Sequence, residues 1–162
     1  MAVTELRIDR DTATVTVTCE LVATPDRVWQ LWADPRTLER WWGPVEWPAR
    51  FDEHDLRVGG RSRYTMTGPD GQTASGWWEF TAVDPTTHLA LVDGFADAAG
   101  EPDLTMPTSA MEVDVVDAGE TTQMVLTSRM ASTEQLDQLL AMGMADGLRS
   151  ALGQIDALLL ET

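Results

Sequence analysis

The fold is decided by residues 24–42, which read TPDRVWQLWADPRTLERWW. Thr24 is a typical N-cap residue and Pro25 suits the first helical position, so a helix is predicted to begin here. Asp-Pro at 34–35 breaks this helix and predicts the start of a second short one. Apolar residues recur through the stretch at helical spacing, which gives both helices a face to bury.

The residues on either side of this stretch alternate with period two, as in half-buried β-strands. Upstream, residues 13–21 place Ala, Val, Cys and Leu at every second position between Thr and Glu. Downstream, residues 45 to about 130 contain six or so alternating segments separated by turn signals such as Gly-Pro-Asp-Gly at 68–71. We therefore predict two short helices after the first strand, followed by a run of antiparallel strands.

The C-terminal residues 132–162 are predicted to form one long helix. Ser132 and Gln135 stand three apart as in a capping box, and apolar residues follow at helical spacing. Gly143 and Gly147 lie one turn apart in this segment, and each costs about 1 kcal/mol relative to Ala within a helix. Either the helix tolerates them, or they leave room for a close neighbour or a ligand.

Two segments lack a clear periodicity. Residues 1–12 look like a polar lead-in. Residues 93–109 are rich in Asp, Gly, Ala and Pro and form the longest predicted loop, either a disordered insertion or a flap over a pocket mouth. Because no repeat or linker divides the chain, residues 1–162 are predicted to form a single α+β domain.

The composition excludes several functions. The net charge is −16 and all 11 basic residues are Arg, so nucleic acids and anionic membranes are poor partners and a Schiff-base Lys is excluded. Cys19 is the single cysteine, which excludes an intrachain disulfide. The N-terminal residues show no apolar signal segment and no run approaches the ~18 apolar residues of a membrane span, so we predict a cytoplasmic location.

The chain also lacks a recognisable catalytic or metal-binding motif. His54 lies between acidic residues, but strand alternation leaves at most Asp52 on the same side, and no further cluster completes a metal site. Cys19 alternates with apolar residues, which indicates a small buried side chain rather than a nucleophile. No phosphate loop, dinucleotide fingerprint or Ser-nucleophile motif is present. We therefore assign no metal, no cofactor and no catalytic residue.

Several short motifs occur in an order typical of one superfamily. They are Thr24-Pro25-Asp26-Arg27-Val28-Trp29, Trp32, Asp34-Pro35, Leu38, Trp41-Trp42, Asp55-Leu56-Arg57-Val58-Gly59-Gly60, Pro69-Asp70-Gly71, Gly76, Asp84-Pro85, Leu89, Gly119, Thr121-Thr122, Gly143-Met144 and Leu148. Over about residues 13–160 the chain thus resembles the SRPBCC (START/birch-pollen-allergen-like) superfamily, and within it the heat-shock-protein-90 ATPase activator homologue family. Met144 departs from this pattern, since the family usually has Trp there.

The resemblance implies a helix-grip fold, in which a seven-stranded antiparallel sheet wraps around the long C-terminal helix and encloses a cavity. Members of the superfamily bind lipids, polyketides or other apolar compounds, some cyclise polyketides, and some regulate a chaperone ATPase. They often form homodimers, although no feature of this sequence demands one.

From the fold and the resemblance together we predict binding of a hydrophobic or aromatic small molecule in that cavity. The residues predicted to line it are Tyr64, Met66, Trp78, Phe80, Met111, Met124, Leu140, Gly143, Met144 and Gly147. Two alternatives stay open. One is a polyketide cyclase or aromatase, for which the candidate acids and bases are Tyr64, His54, Asp55 and Arg129. The other is a chaperone-activator-like module whose acidic surface meets a basic partner.

Overall fold

The protein forms an antiparallel β-sheet with short helices packed against one face. The computed structural model describes residues 2–161, so Met1 and Thr162, at the ends of the predicted lead-in and helix, lie outside the described residues. Within that range the strands are β1 (Val3–Asp9), β2 (Thr14–Leu21), β3 (Ala49–His54), β4 (Arg61–Thr67), β5 (Thr73–Asp84), β6 (His88–Ala96), β7 (Ser109–Asp117) and β8 (Thr122–Met130). The helices are α1 (Pro25–Ala33), α2 (Pro35–Leu38), α3 (Thr133–Ala141), α4 (Met144–Leu152) and α5 (Ile155–Leu159).

The sheet has the strand order β1-β2-β8-β7-β6-β5-β4-β3, with antiparallel neighbours throughout. Strands β3 to β8 follow one another as a meander, and β2 pairs with β8 without a register shift. The predicted first strand and the two helices after it are confirmed. Thr24 caps α1 by accepting a hydrogen bond from the backbone amide of Arg27, as its N-cap position predicts.

The prediction of seven strands is wrong, because the described residues form eight. The additional strand, β1, lies within the predicted polar lead-in and pairs with β2 as a hairpin, with Leu6 opposite Val17. It stands at the edge of the sheet, and most of its side chains are exposed or half-buried. An edge strand needs little apolar character, so the segment did not show the pattern of a buried strand.

The prediction of one continuous C-terminal helix is also wrong. Three helices, α3, α4 and α5, share this segment. Gly143 adopts a left-handed conformation with φ of 92°, at the N-cap of α4. A residue without a Cβ enters this conformation at little cost, so Gly143 separates two helices instead of being tolerated within one.

The predicted loop 93–109 is shorter than expected, since β6 continues through Ala96. The remaining connection is organised by its own hydrogen bonds: Asp97 Oδ1 accepts from the backbone amides of Ala99 and Glu101, and Ala96 forms a β-bridge with Pro102. Asp93 therefore lies in a strand and not in a loop.

An aromatic cluster fills the region where α1 and α2 meet the sheet. Trp32, Trp41 and Trp78 are fully buried there. Trp41 Nε1 donates to the backbone carbonyl of Leu31 at 2.8 Å, and Trp32 Nε1 lies 3.3 Å from Met124 Sδ. This part of the buried face is close-packed, which leaves the part beneath α3 and α4 for a cavity. Among residues 2–161 no helix is both long and apolar enough to cross a membrane.

Candidate ligand-binding site

A cavity of about 240 Å³ lies between the sheet and the helices α3 and α4 and is partly open to solvent. Its sheet side includes Met66 and Met111, and its helix side includes Leu139, Met144 and Leu148. These side chains give the cavity largely apolar walls. An apolar concavity with a few polar groups is the usual form of a small-molecule site.

Six of the ten residues predicted to line the cavity do so, namely Tyr64, Met66, Met111, Gly143, Met144 and Gly147. The other four do not belong to its lining. Trp78, Phe80 and Met124 lie in the close-packed core near Trp32, and Leu140 is partly buried against the core. Strand alternation identifies the face on which a side chain lies, but not which part of that face a neighbouring helix fills.

A hydrogen bond within the cavity wall joins Tyr64 to Asp93. Tyr64 Oη donates a hydrogen bond to Asp93 Oδ1 at 3.0 Å. Burial raises the pKa of the Asp93 carboxyl to about 7, although the hydrogen bond from Tyr64 opposes this shift. Burial, and then the charge of Asp93, raise the pKa of Tyr64 well above its ordinary value. Asp93 is therefore a carboxyl group that changes its protonation state near neutral pH.

Gly76 allows Tyr64 to reach Asp93. Tyr64 in β4 lies opposite Gly76 in β5, and Asp93 belongs to the next strand, β6. A Cβ at Gly76 would come within 2.3 Å of the Tyr64 ring and hydroxyl. The phenol thus crosses β5 over a position that only glycine can occupy without displacing it.

A buried polar atom without a partner also lies at this cavity. Ser128 Oγ belongs to a cavity-lining residue, is 1% exposed and makes no hydrogen bond among the described residues. The indole groups of Trp42 and Trp78 interact with Tyr64, and that of Trp78 also with Asp93, which lowers the pKa of Tyr64 and of Asp93 against the effect of burial. Buried polar groups in native proteins are normally paired, so Ser128 is the group in this wall that can still take up a hydrogen bond.

The cavity contains no basic side chain among its described lining residues, and its titratable groups are Asp93 and Tyr64. Ser109, the cross-strand neighbour of Asp93, also contributes to the lining. The site can therefore donate and accept hydrogen bonds, but it offers no positive charge.

The other candidates for chemistry lie outside the cavity lining. The His54 ring is held by two contacts: Nε2 lies 2.8 Å from the carbonyl of Trp32 and Nδ1 lies 2.7 Å from Ser62 Oγ. A carbonyl only accepts, so Nε2 carries the proton and Nδ1 accepts from Ser62. Burial lowers the pKa of His54, which favours this neutral form. His54 thus joins β3, β4 and the end of α1.

Asp55 pairs instead with Arg57 on the surface, and Arg129 is exposed. Cys19 is buried, and burial raises the pKa of its thiol to about 12, so it stays a neutral thiol at physiological pH. Residues 2–161 contain no group of three or more His, Cys, Asp or Glu side chains placed to hold a metal ion.

The sequence interpretation missed Asp93 and Ser109, which it placed in a loop, and did not include Trp42 among the lining residues. A signal for Asp93 was present. Leu89 and Leu91 alternate inward, and Asp93 is the next residue in that phase. Extending the period by one step would have placed its carboxyl on the buried face.

The chain matches known proteins over nearly its whole length. Residues 22–160 match the family model described as "Activator of Hsp90 ATPase homolog 1-like protein". The crystal structure of protein Ms6760 from Mycobacterium smegmatis is 45% identical, covers 99% of this chain and 98% of that chain, and has a TM-score of 0.91. A solution structure from Arthrobacter aurescens is 42% identical, covers 98% of this chain and 92% of that chain, and has a TM-score of 0.94.

A more distant likeness concerns the fold alone. DynU16, from the dynemicin biosynthetic locus, is 18% identical, with 92% of this chain and 48% of that chain covered and a TM-score of 0.64. No curated protein matches the chain. The family model covers most of the chain and the two bacterial structures agree with it in fold and sequence, so the resemblance is confirmed: the chain belongs to the family of Activator of Hsp90 ATPase homolog 1-like proteins.

Proposed function

We propose that this protein binds a hydrophobic or aromatic small molecule in the cavity beneath α3 and α4. The observation that carries the proposal is the cavity itself, about 240 Å³ with apolar walls and a small set of inward polar groups. Six residues predicted from the sequence pattern and the resemblance line it, which supports the choice of site.

The physical driving force is burial of the ligand. Removing roughly 300 Å² of apolar ligand surface from water contributes several kcal/mol at about 25 cal/mol per Å². The loss of translational and rotational freedom on binding offsets part of this. Shape and burial would supply affinity, and Tyr64 and Asp93 would orient the ligand.

Native mass spectrometry of protein purified without denaturation tests this proposal, followed by fluorescence titration with lipids, polyketides and aromatic compounds. The seven Trp residues, of which Trp42 lines the cavity, make the emission a sensitive reporter. We expect a co-purifying mass or a saturable spectral change. A ligand-free mass together with no response across the panel would contradict the proposal.

Acid–base catalysis on a bound polyketide-like compound is the second candidate. A specific observation favours it: the Asp93 carboxyl has a pKa of about 7 in an apolar cavity and lies in contact with the Tyr64 hydroxyl. A general acid or base works best when its pKa is near the operating pH. If this candidate holds, Asp93→Asn reduces turnover of an identified substrate by at least about 100-fold. Unchanged turnover would remove it.

Binding to a chaperone, homodimer formation and a cytoplasmic location stay predictions. Because the net charge of the chain is −16, we expect a protein partner to present a basic surface to it. Salt-sensitive capture of a purified chaperone is the expected result for a chaperone partner, and no capture at low salt would contradict that prediction.

A further inference from the structure

We infer that the ligand carries a neutral oxygen-containing head group, a phenol or a ketone, which docks beside Asp93 and Ser128. The cavity would reject the carboxylate of the same molecular body. This inference rests on the proposed function and narrows it to one chemical class.

The first argument comes from Ser128. This residue is 1% exposed and lines the cavity, and its Oγ makes no hydrogen bond among residues 2–161. A hydroxyl can donate to a ketone oxygen and can accept from a phenolic hydroxyl. A pure hydrocarbon would leave it unpaired, whereas a ligand oxygen would satisfy it.

The second argument comes from Asp93. Its carboxyl shares the cavity wall with Trp42 and accepts from Tyr64 at 3.0 Å. In its ionised form it accepts from a phenolic hydroxyl, and in its protonated form it donates to a ketone. A neutral oxygen head therefore finds a partner in either protonation state of Asp93.

The third argument excludes an anionic head. The described lining residues include no Arg or His, and the chain contains no Lys. A ligand carboxylate would lie near Asp93 in a medium of low dielectric constant without a compensating cation. The negative charge of the whole chain adds to the repulsion.

The test compares compounds that share one aromatic body. Dissociation constants of the full chain for naphthalene, 2-naphthol, 2-acetylnaphthalene and 2-naphthoate are measured at pH 7.5 by NMR titration. We expect 2-naphthol or 2-acetylnaphthalene to bind at least about tenfold more tightly than naphthalene and 2-naphthoate.

Two variants assign this preference to the named groups. Ser128→Ala removes the unpaired hydroxyl, so the preference for the oxygen compounds over naphthalene should fall several-fold. Asp93→Asn removes the charge, so the discrimination against 2-naphthoate should fall at least about fivefold. Thr127→Ala, the neighbouring position outside the cavity lining, is the matched control and should leave every dissociation constant unchanged.

Each outcome decides a different statement. Equal or tighter binding of 2-naphthoate would overturn the inferred head group while the proposed function stands. Oxygen compounds that bind no better than naphthalene would do the same. If none of the four compounds binds, the proposed function fails and the inference fails with it.

Discussion

Single residues show where sequence patterns determine the site and where they do not. Tyr64 and Met66 follow from strand alternation, because the period fixes their face. Asp93 does not, since a polar residue in a segment rich in Asp and Gly resembles a loop. Its position on the buried face depends on pairing of β6 with β5 and β7, which brings it opposite Trp78 and Ser109.

Asp93 should make the stability of the fold depend on pH. Its pKa is about 7 in the folded protein and near 3.8 when unperturbed, so the folded state holds the proton more tightly. The stabilisation from this group is complete below about pH 4 and is lost as the pH rises through 7. Tyr64, the other titratable lining group, has its pKa raised well above its ordinary value.

We therefore expect Asp93→Asn to be more stable than the wild type at pH 8 by about 1–3 kcal/mol. The difference should shrink towards zero at pH 4, where the wild-type carboxyl is neutral. Urea unfolding of both proteins across this range measures it. If the difference in unfolding free energy does not change with pH, ionisation of Asp93 does not destabilise the folded protein and the prediction is contradicted.

Gly76→Ala should displace the Tyr64 ring from Asp93. The new Cβ would lie 2.3 Å from the ring, a distance that no relaxed structure retains. We expect a loss of about 1–3 kcal/mol in the free energy of unfolding, and also a weakened Tyr64–Asp93 contact. Denaturant unfolding gives the first, and the pKa of Asp93 measured by NMR gives the second. Wild-type stability in this variant would contradict the crossing of β5 described above.

Some helices and strands were predicted from the sequence, and others were missed. Strand β2 and helix α1 were predicted because their patterns are local: alternation in one, and an N-cap followed by Pro in the other. Strand β1 was missed because an edge strand can be polar. The division of the C-terminal segment was missed because the left-handed conformation of Gly143 is a backbone property, which a helical apolar pattern does not reveal.

The two glycines of this segment should respond oppositely to Ala. At Gly143 the φ of 92° makes any side chain strained, although the space around it is open. We expect Gly143→Ala to lower the free energy of unfolding by about 1 kcal/mol. At Gly147, within α4, a Cβ would meet only Pro44 at 3.6 Å. Gly147→Ala should therefore stabilise by up to about 1 kcal/mol through helix propensity.

Thermal and urea unfolding of these two variants decides the point. The same sign of effect in both would contradict the division of the segment into α3 and α4. Gly147→Ala is the matched control, since it makes the same chemical change one turn away.

At the scale of the whole molecule, the cavity results from incomplete filling of the buried face. The Trp cluster beneath α1 fills one part, and α3 and α4 cover the rest without filling it. The end of the helical segment is tied to the other helices, since Arg40 pairs with Glu161 and Arg27 donates to its backbone carbonyl. Such long-range packing is not encoded in any local pattern, which explains why four predicted lining residues lie elsewhere.

The central claim, that a small molecule binds in this cavity, is tested most directly by filling it. Isothermal titration calorimetry with 2-naphthol compares the wild type with Ser128→Leu, which places an apolar side chain in the cavity. Thr127→Leu, the neighbouring position on the opposite face of β8, is the control. Circular dichroism verifies that both variants are folded.

We predict saturable binding to the wild type and to Thr127→Leu, with at least about tenfold weaker binding to Ser128→Leu. Equal affinity of all three proteins would place the ligand elsewhere on the molecule and contradict the account.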